Sequence, residues 1–317
     1  MLSGIHIICF AGSYTVALLL ELTRPLFRSG IRGAIMLGFA AAGLFAHTVF
    51  LAYRIAAFYQ VAGAQGSPLS IKQDWYLVAA WVLVVVYLGL TYFHPKTHFG
   101  VFLLPVVLGL IGVGTYWADP RPFAREPASA VWGVVHGGSI LVATVAVLVG
   151  WVAGMMYLGQ AYRLKHKLPA LPGLRLPSLE WLGRANGRSI GVAMVMMGVG
   201  IVAGIVLNLI NYDDPAGRIR WNDPVVLTTA CMFGWLVLCS ALGALYRPAR
   251  EGRRVAYFTL IAFAFLLIAL AVVLWGNTQH GGGRRASVES RPKPAAAEQA
   301  RPGAGNARLP LASGARP

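Results

Sequence analysis

Eight apolar runs, each about as long as a helix that crosses the hydrocarbon of a bilayer, alternate with short charged islands along this 317-residue chain. Hydrophobic residues make up 57% of the sequence and charged residues only 12%, which is too few to cover a water-soluble surface. The pattern predicts an all-α, polytopic membrane helix bundle of about eight transmembrane helices. The predicted spans are residues 4–22, 33–55, 76–93, 99–117, 130–158, 189–211, 225–246 and 254–276.

Three of these spans carry further signals. The first has no basic segment before it and no small-residue cleavage site after it, so it is expected to be retained and not removed as a signal peptide. The fifth is the longest, which indicates a tilted helix or one that extends past the membrane. In the sixth, Gly200 and Gly204 form a G-x-x-x-G pair, which predicts close helix packing either within the bundle or between two copies.

Cations are distributed unequally between the two sets of loops. The loops after the first, third, fifth and seventh spans hold 14 Lys and Arg residues against three acidic residues, whereas the opposite loops hold six of each. Because positively charged loops stay in the cytoplasm, this asymmetry predicts a multi-pass protein of the bacterial cytoplasmic membrane with both termini on the outer side. The asymmetry also accounts for most of the formal net charge of +16, so the charge does not indicate a nucleic-acid partner.

The last part of the chain differs in composition from the rest. Residues 1–280 form the predicted transmembrane domain, whereas residues 281–317 are rich in Ala, Pro, Gly and Arg and poor in large apolar residues. Such a segment cannot bury a core, so it is predicted to be a disordered basic tail. It is either simply solvated or attracted to anionic membrane lipid.

The residues that several kinds of function require are absent from this sequence. Cys9, Cys231 and Cys239 all lie in predicted spans and no C-x-x-C pair is present, which argues against thiol exchange. No aspartate or glutamate interrupts the predicted spans, which argues against a proton-coupled transporter. Histidine is the remaining candidate for a functional side chain.

Four of the seven histidines converge on the outer half of the predicted bundle. They are His6 and His47 in the first two spans, His136 in the fifth, and His280 just after the eighth. Imidazole in hydrocarbon needs a partner, which is either a neighbouring helix or a metal, such as a heme iron held between two histidines. The other three, expected to be polar loop residues, are His94, His98 and His166.

A heme group would suit the chemistry of this outer end. Its apolar ring packs on aromatic side chains, and its two propionates pair with arginine. Trp221, Arg125 and Arg220 lie in predicted outer loops beside the fifth and seventh spans. Interfacial aromatic residues and arginines are also an ordinary feature of membrane proteins, so both interpretations stay open on the residues alone.

Three stretches of the sequence resemble the cytochrome c assembly protein family that includes CcsA, CcmC and CcmF. HGGSILVATVAVLVGWVAGMMYL is similar to that family's histidine-led helix, NGRSIGVAMVMMGVGIVAGIVL to its R-T-I-G helix, and SPLSIKQDWYL to the start of an earlier span. The stretches follow the family's order from about Ser67 to His280, which is some two thirds of the chain.

The resemblance implies a set of heme-binding residues. His136 and His280 take the places of the two outer histidines that hold the iron of a non-covalently bound heme b. Trp221 and Asp223 are the part that this sequence retains of the family's tryptophan-rich outer segment, which is thought to receive heme. Asp223 also has an ordinary structural interpretation as the N-cap of the seventh span, directly before Pro224.

Two histidines that the CcsA branch of the family embeds in the membrane are absent here. Gly66 and Tyr246 occupy the matching places. His47 is the histidine that would substitute for them, and His6 is a further candidate ligand.

Three alternative functions stay open, and the resemblance implies the first two. A heme-binding assembly factor would hold heme at the outer membrane face and present it to apocytochrome c, beside a second membrane subunit of the CcsB/ResB type. A HemX-like regulator of heme biosynthesis would use the same bundle with little heme transfer. A transporter or a purely structural membrane subunit is the third alternative. In the first two, the protein handles heme and is not a stand-alone enzyme.

Overall fold

The computed structural model describes residues 6–23, 30–62, 72–95, 97–118, 127–167, 169, 175–211, 219–245 and 252–275. Within these ranges every regular element is an α-helix, and each predicted span corresponds to one helix. The helices are α1 (Ile7–Leu22), α2 (Gly30–Ala62), α3 (Lys72–Phe93), α4 (Gly100–Tyr116), α5 (Pro127–Lys165), α6 (Leu179–Ile210), α7 (Pro224–Leu245) and α8 (Gly252–Trp275). The predicted all-α fold is confirmed.

Helix length divides the eight described helices into two groups. Six of them, α2, α3, α5, α6, α7 and α8, are long and apolar enough to cross a membrane. The apolar helices α1 and α4 have 16 and 17 residues. At 1.5 Å per residue each rises about 25 Å, which is short of the roughly 30 Å hydrocarbon core. The chain is therefore a multi-pass membrane bundle with two short members.

Three helices extend well past their predicted spans, and one of them, α2, ends at Ala62 and not near residue 55. α5 has 39 residues and is the longest described helix, as predicted, with Arg163 and Lys165 in its last turn. α6 begins at Leu179 and not near residue 189. The Ser178 hydroxyl caps α6 by accepting a hydrogen bond of 3.3 Å from the Trp181 N–H. The charged residues before position 189 limit the predicted apolar span but do not interrupt α6. A helix segment outside the hydrocarbon can expose charged side chains on one face.

Helices that follow one another in the chain run antiparallel in the four pairs below. In each pair, residues later in one helix contact residues earlier in the next. The contacts are Phe10–Phe50 and Thr23–Arg32 for α1 and α2, Thr48–Trp81 and Arg54–Asp74 for α2 and α3, Tyr76–Gly114 and Tyr87–Gly100 for α3 and α4, and His136–Gly204 and Gly150–Ser189 for α5 and α6. One end of the bundle, here named the histidine end, contains Asp74 and His136. The other, named the basic end, contains Arg184 and Arg253.

Two apolar cores fill the bundle. The first lies among α1 to α4 and one face of α5, and its fully buried members include Tyr14 and Tyr87. The second lies among α5 to α8 and includes Met197 and Leu236. α5 contributes to both cores, and its contact with α6 is the most extensive between any two described helices. α5 therefore links the two halves.

A buried asparagine joins three helices of the second half. Asn186 of α6 is fully buried. In the amide orientation that satisfies its neighbours, it donates hydrogen bonds of 3.2 Å to Thr259 Oγ1 and to the Gly150 carbonyl oxygen, and it accepts one of 3.3 Å from the Ala256 N–H. Interhelical hydrogen bonds of this kind stabilise membrane bundles by about 0.6 kcal/mol each.

Three carboxylates, Glu21, Asp74 and Glu180, lie near the ends of described helices, and none lies in the middle of a predicted span. Glu21 is buried near the end of α1, and Asp74 is buried in the first turn of α3. Arg54 Nε lies 2.9 Å from Asp74 Oδ1, and Arg54 Nη1 donates a hydrogen bond of 2.9 Å to Gln73 Oε1. The ion pair compensates the cost of burying Asp74 and ties α2 to α3.

Candidate functional site

His136 lies between α5 and α6 at the histidine end and is partly buried. Its Nδ1–H donates a hydrogen bond of 2.7 Å to the carbonyl oxygen of Gly200. Because a carbonyl only accepts, this contact places the proton of a neutral imidazole on Nδ1 and the lone pair on Nε2. Metal-ligating histidines are oriented in the same way, through a hydrogen bond from the second ring nitrogen. A histidine that only packs between helices would also make this bond.

Two glycines of α6 make room for this arrangement. A Cβ at Gly204 would lie 3.0 Å from both Cε1 and Nδ1 of His136, and a Cβ at Gly200 would lie 2.6 Å from Cδ1 of Ile140. Any larger residue at Gly200 would displace α5 or its side chains. The G-x-x-x-G pair therefore packs α6 against α5 within the bundle, which is the first of its two predicted roles.

Trp75 of α3 is a neighbour of this site that sequence reasoning missed. A Cβ at Gly137 would lie 2.6 Å from Cζ2 of Trp75, so the indole packs directly on the α5 backbone next to His136. The glycine after His136 was a signal that some bulky group approaches there. Only the fold shows that the group is Trp75.

The turn before α7 has the structure of a helix cap. Asp223 is buried, and its Oδ1 accepts a hydrogen bond of 2.9 Å from the Val225 N–H. Pro224 is the first helical residue, where its missing N–H costs nothing. The structural interpretation of Asp223 is confirmed. Arg220 is exposed in the same turn, and Trp221 is 55% exposed.

Helix α6 contacts α5 and α7 on different faces. Gly200 and Gly204 face α5, whereas Gly198 faces the Phe233 ring of α7, with 3.4 Å between that ring and a Cβ at Gly198. Contact between α5 and α7 is marginal at most. The turn before α7 is tied to the end of α6 by a hydrogen bond of 2.8 Å from the Ile219 N–H to Asn208 Oδ1.

His47 lies in the other half of the bundle, within an aromatic cluster. The Phe10 ring stacks on the imidazole with 4.1 Å between ring centroids and 2° between planes. Nδ1 lies 3.3 Å from the Tyr14 hydroxyl, and the buried Nε2 has no hydrogen-bond partner. The side chain is fully buried, so a heme iron would reach Nε2 only if these packed groups moved apart. His6, the other candidate in this half, is the exposed N-cap residue of α1.

His98 lies in the connection between α3 and α4, as predicted, but its side chain is buried and not exposed. The side chain is 4% exposed. Its Nδ1 accepts a hydrogen bond of 3.0 Å from the Arg175 N–H, and its own backbone N–H donates one of 3.2 Å to the Arg175 carbonyl oxygen. His98 thus ties the connection between α3 and α4 to the segment before α6. His94 is half-buried and His166 is exposed.

His280, Arg125 and the predicted tail lie outside the described residues. The direction of α8, the helix that precedes His280 in the sequence, is nevertheless clear. Gly154 of α5 packs on Ala256 of α8, and the two helices run antiparallel. Continued along both helices, this register brings Trp275 to about the level of the histidine end. The described part of α8 therefore ends near that level, shortly before His280 in the sequence.

No group of three or more His, Cys, Asp or Glu side chains that would hold a metal ion is present among the described residues. A heme iron needs only axial ligands from the protein, so this finding does not decide between the interpretations of His136. Comparisons with protein-family models, curated proteins and solved structures found no match to the chain. The function has to be inferred from the site itself.

Proposed function

We propose that this protein binds heme in the membrane and serves in the biogenesis of c-type cytochromes. The observation that carries the proposal is the hydrogen bond of 2.7 Å from His136 Nδ1–H to the Gly200 carbonyl. It orients the ring and presents the Nε2 lone pair, which is the donor that a heme iron requires. In the proposed complex, His136 is one axial ligand of heme b and His280 is the other.

The surroundings of His136 fit a heme group. Trp75 packs beside it, and Trp132, one turn before His136 on the same face of α5, exposes 39% of its surface, on which a porphyrin ring can lie. Arg125 and Arg220 would pair with the propionates at the membrane boundary. These side chains bind and orient the heme, which is the cargo and not a resident catalytic group.

The proposed orientation places the histidine end outside and the basic end in the cytoplasm of a bacterial cell. The charge distribution supports it, since positively charged segments stay in the cytoplasm. The described cations of the basic end are Arg32, Arg163, Lys165, Lys167, Arg175, Arg184, Arg188, Arg253 and Arg254. Heme held at the outer face would be presented to apocytochrome c, beside a second membrane subunit of the CcsB/ResB type.

A specific observation favours a second candidate function, that of a HemX-like regulator of heme biosynthesis. Asp223 is used as a helix cap, and Trp221 is 55% exposed in the same turn. The retained part of the heme-receiving segment therefore has a structural explanation that needs no heme. A regulator would bind heme at His136 with little transfer.

Purification of the full-length protein with its bound heme tests the binding proposal. We expect the wild type to show a Soret band with the low-spin character of two histidine ligands, and we expect His136→Ala to lose heme or hold it in a high-spin form. The exposed His166 gives a matched control, since His166→Ala should keep wild-type spectra. Equal heme per folded protein in wild type and His136→Ala would contradict the proposal.

The level of c-type cytochromes in cells separates the two functions. If the protein is an assembly factor, cells without it should lack holocytochrome c, and wild type but not His136→Ala should restore it. If the protein is a regulator, holocytochrome c should form without it while the amount of total heme changes.

A further inference from the structure

A cavity of about 650 Å³ lies at the basic end, on the side of the bundle away from His136. Its walls are the N-terminal half of α6, the C-terminal half of α7 and the start of α8, with Tyr157 of α5 at the back. On α6 the lining runs from Leu179 to Met194, which corresponds to about 22 Å along the helix axis. The cavity is thus a long slot that runs from the basic end toward the middle of the bundle.

The glycines that line this slot are not explained by helix packing. Gly187 and Gly191 of α6 and Gly243 of α7 all line it, and a Cβ at any of them would meet no atom within 4 Å. Farther along the same helix, Gly200 and Gly204 are closely covered by α5. Because glycine has no side chain, these three positions leave space in the slot that a larger residue would fill.

The walls of the slot suit an acyl chain. Ile190, Met194 and Phe258 supply apolar surface, and space of this kind within hydrocarbon is filled by lipid. Ser240 Oγ in the wall is buried without a hydrogen-bond partner. A ligand that carries carbonyl oxygens as well as methylene groups would satisfy this hydroxyl.

The mouth of the slot carries charge. Arg184 lines the slot, is exposed, and lies 3.2 Å from Glu180 in an ion pair on the helix surface. An exposed ion pair of this kind is weak, so a phosphate can replace Glu180 as the partner of Arg184. We propose that the slot binds one acyl chain of an anionic phospholipid whose phosphate is held by Arg184. The proposal does not depend on heme binding at His136.

Lipid titration of the purified full-length protein tests this site. The protein is stripped of lipid in detergent and titrated with phosphatidylglycerol or with phosphatidylcholine of the same acyl chains, and bound lipid is counted by native mass spectrometry. We expect one site with a preference for phosphatidylglycerol. Arg184→Gln should weaken that lipid about fivefold, since one interfacial cation contributes about 1 kcal/mol. Glu180→Gln should strengthen it, because the competing carboxylate is removed.

Filling the slot tests the place of the acyl chain. Gly191→Leu should weaken phosphatidylglycerol about tenfold, as expected when about two methylene groups lose their place. Gly234→Leu is the matched control, because Gly234 of α7 also has no atom near its Cβ position but does not line the slot. The proposal is overturned if Gly191→Leu binds phosphatidylglycerol like Gly234→Leu. Equal binding of both lipids by the wild type would also overturn it.

Discussion

Two histidines lie within the described helices of this bundle, and their surroundings differ in almost every respect. His47 is fully buried, stacked on Phe10 and beside the Tyr14 hydroxyl, in the half formed by α1 to α4. His136 is only partly buried and donates to a backbone carbonyl across a glycine-lined contact between α5 and α6. The difference shows that an imidazole within a membrane segment has no single role.

The physical basis of the difference is the partner of each ring nitrogen. At His136 the hydrogen bond to a backbone carbonyl places the proton of the neutral ring on Nδ1 and the lone pair on Nε2. At His47 the partner of Nδ1 is a hydroxyl, which can either donate or accept a hydrogen bond. The buried Nε2 has no hydrogen-bond partner. His136 therefore has the orientation that a metal ligand needs and that helix packing alone would also give, whereas His47 has the surroundings of a packed core residue.

The sharpest way to break this comparison is to replace each imidazole by a phenyl ring of similar size. We expect His136→Phe to lose most of the bound heme, because the iron loses an axial ligand. His47→Phe should keep wild-type heme content and change stability by no more than about 1 kcal/mol, because it removes a buried nitrogen without a partner but also the hydrogen bond to the Tyr14 hydroxyl. Heme per folded protein is measured by absorbance. Comparable heme loss in both variants would mean that the two histidines serve one site.

Matched glycines next to the two histidines give the next largest effects. A Cβ at Gly43 would lie 2.7 Å from Cε1 of the enclosed Tyr14 ring, whereas a Cβ at Gly204 would lie 3.0 Å from the partly exposed His136 ring. We expect Gly43→Ala to destabilise the protein by about 1 to 3 kcal/mol without changing the heme spectrum. Gly204→Ala should destabilise it less but alter the spectrum. Unfolding in detergent and visible absorbance measure the two effects, and the reverse pattern would refute this assignment.

Removal of one hydroxyl sharpens the comparison further. Tyr14→Phe deletes the hydrogen bond to His47 and should reduce stability by about 0.6 to 1 kcal/mol, as measured by thermal unfolding. Its heme content should equal that of the wild type. Heme loss in Tyr14→Phe would instead connect the aromatic cluster to the heme site.

The smallest effect is expected at Trp221. The side chain is 55% exposed, so Trp221→Ala should change neither stability nor heme content appreciably. Asp223→Ala is the contrasting variant, because loss of the α7 cap should cost about 1 kcal/mol. A several-fold fall in heme for Trp221→Ala, at unchanged stability, would instead place the turn before α7 in the heme site and support the assembly function.

Local signals explain which features were predicted. The helices α1 to α8 and the Asp223–Pro224 start of α7 follow from short stretches of sequence, because hydropathy and capping act over a few residues. The start of α6 was misplaced, since charges at positions 180 and 184 interrupt hydropathy but not helical hydrogen bonding. The burial of His98 was not predicted, because its hydrogen-bond partner, Arg175, is distant in sequence.

The sequence by itself determined that this chain forms apolar helices, since each backbone in lipid must satisfy its hydrogen bonds within its own segment. It also marked His136 as a residue that needs a partner. Only the tertiary structure decided that the partner is the Gly200 carbonyl and that Trp75 covers Gly137. Those pairings depend on which faces of distant helices meet. That choice is made by the packing of many side chains at once and not by any short stretch of residues.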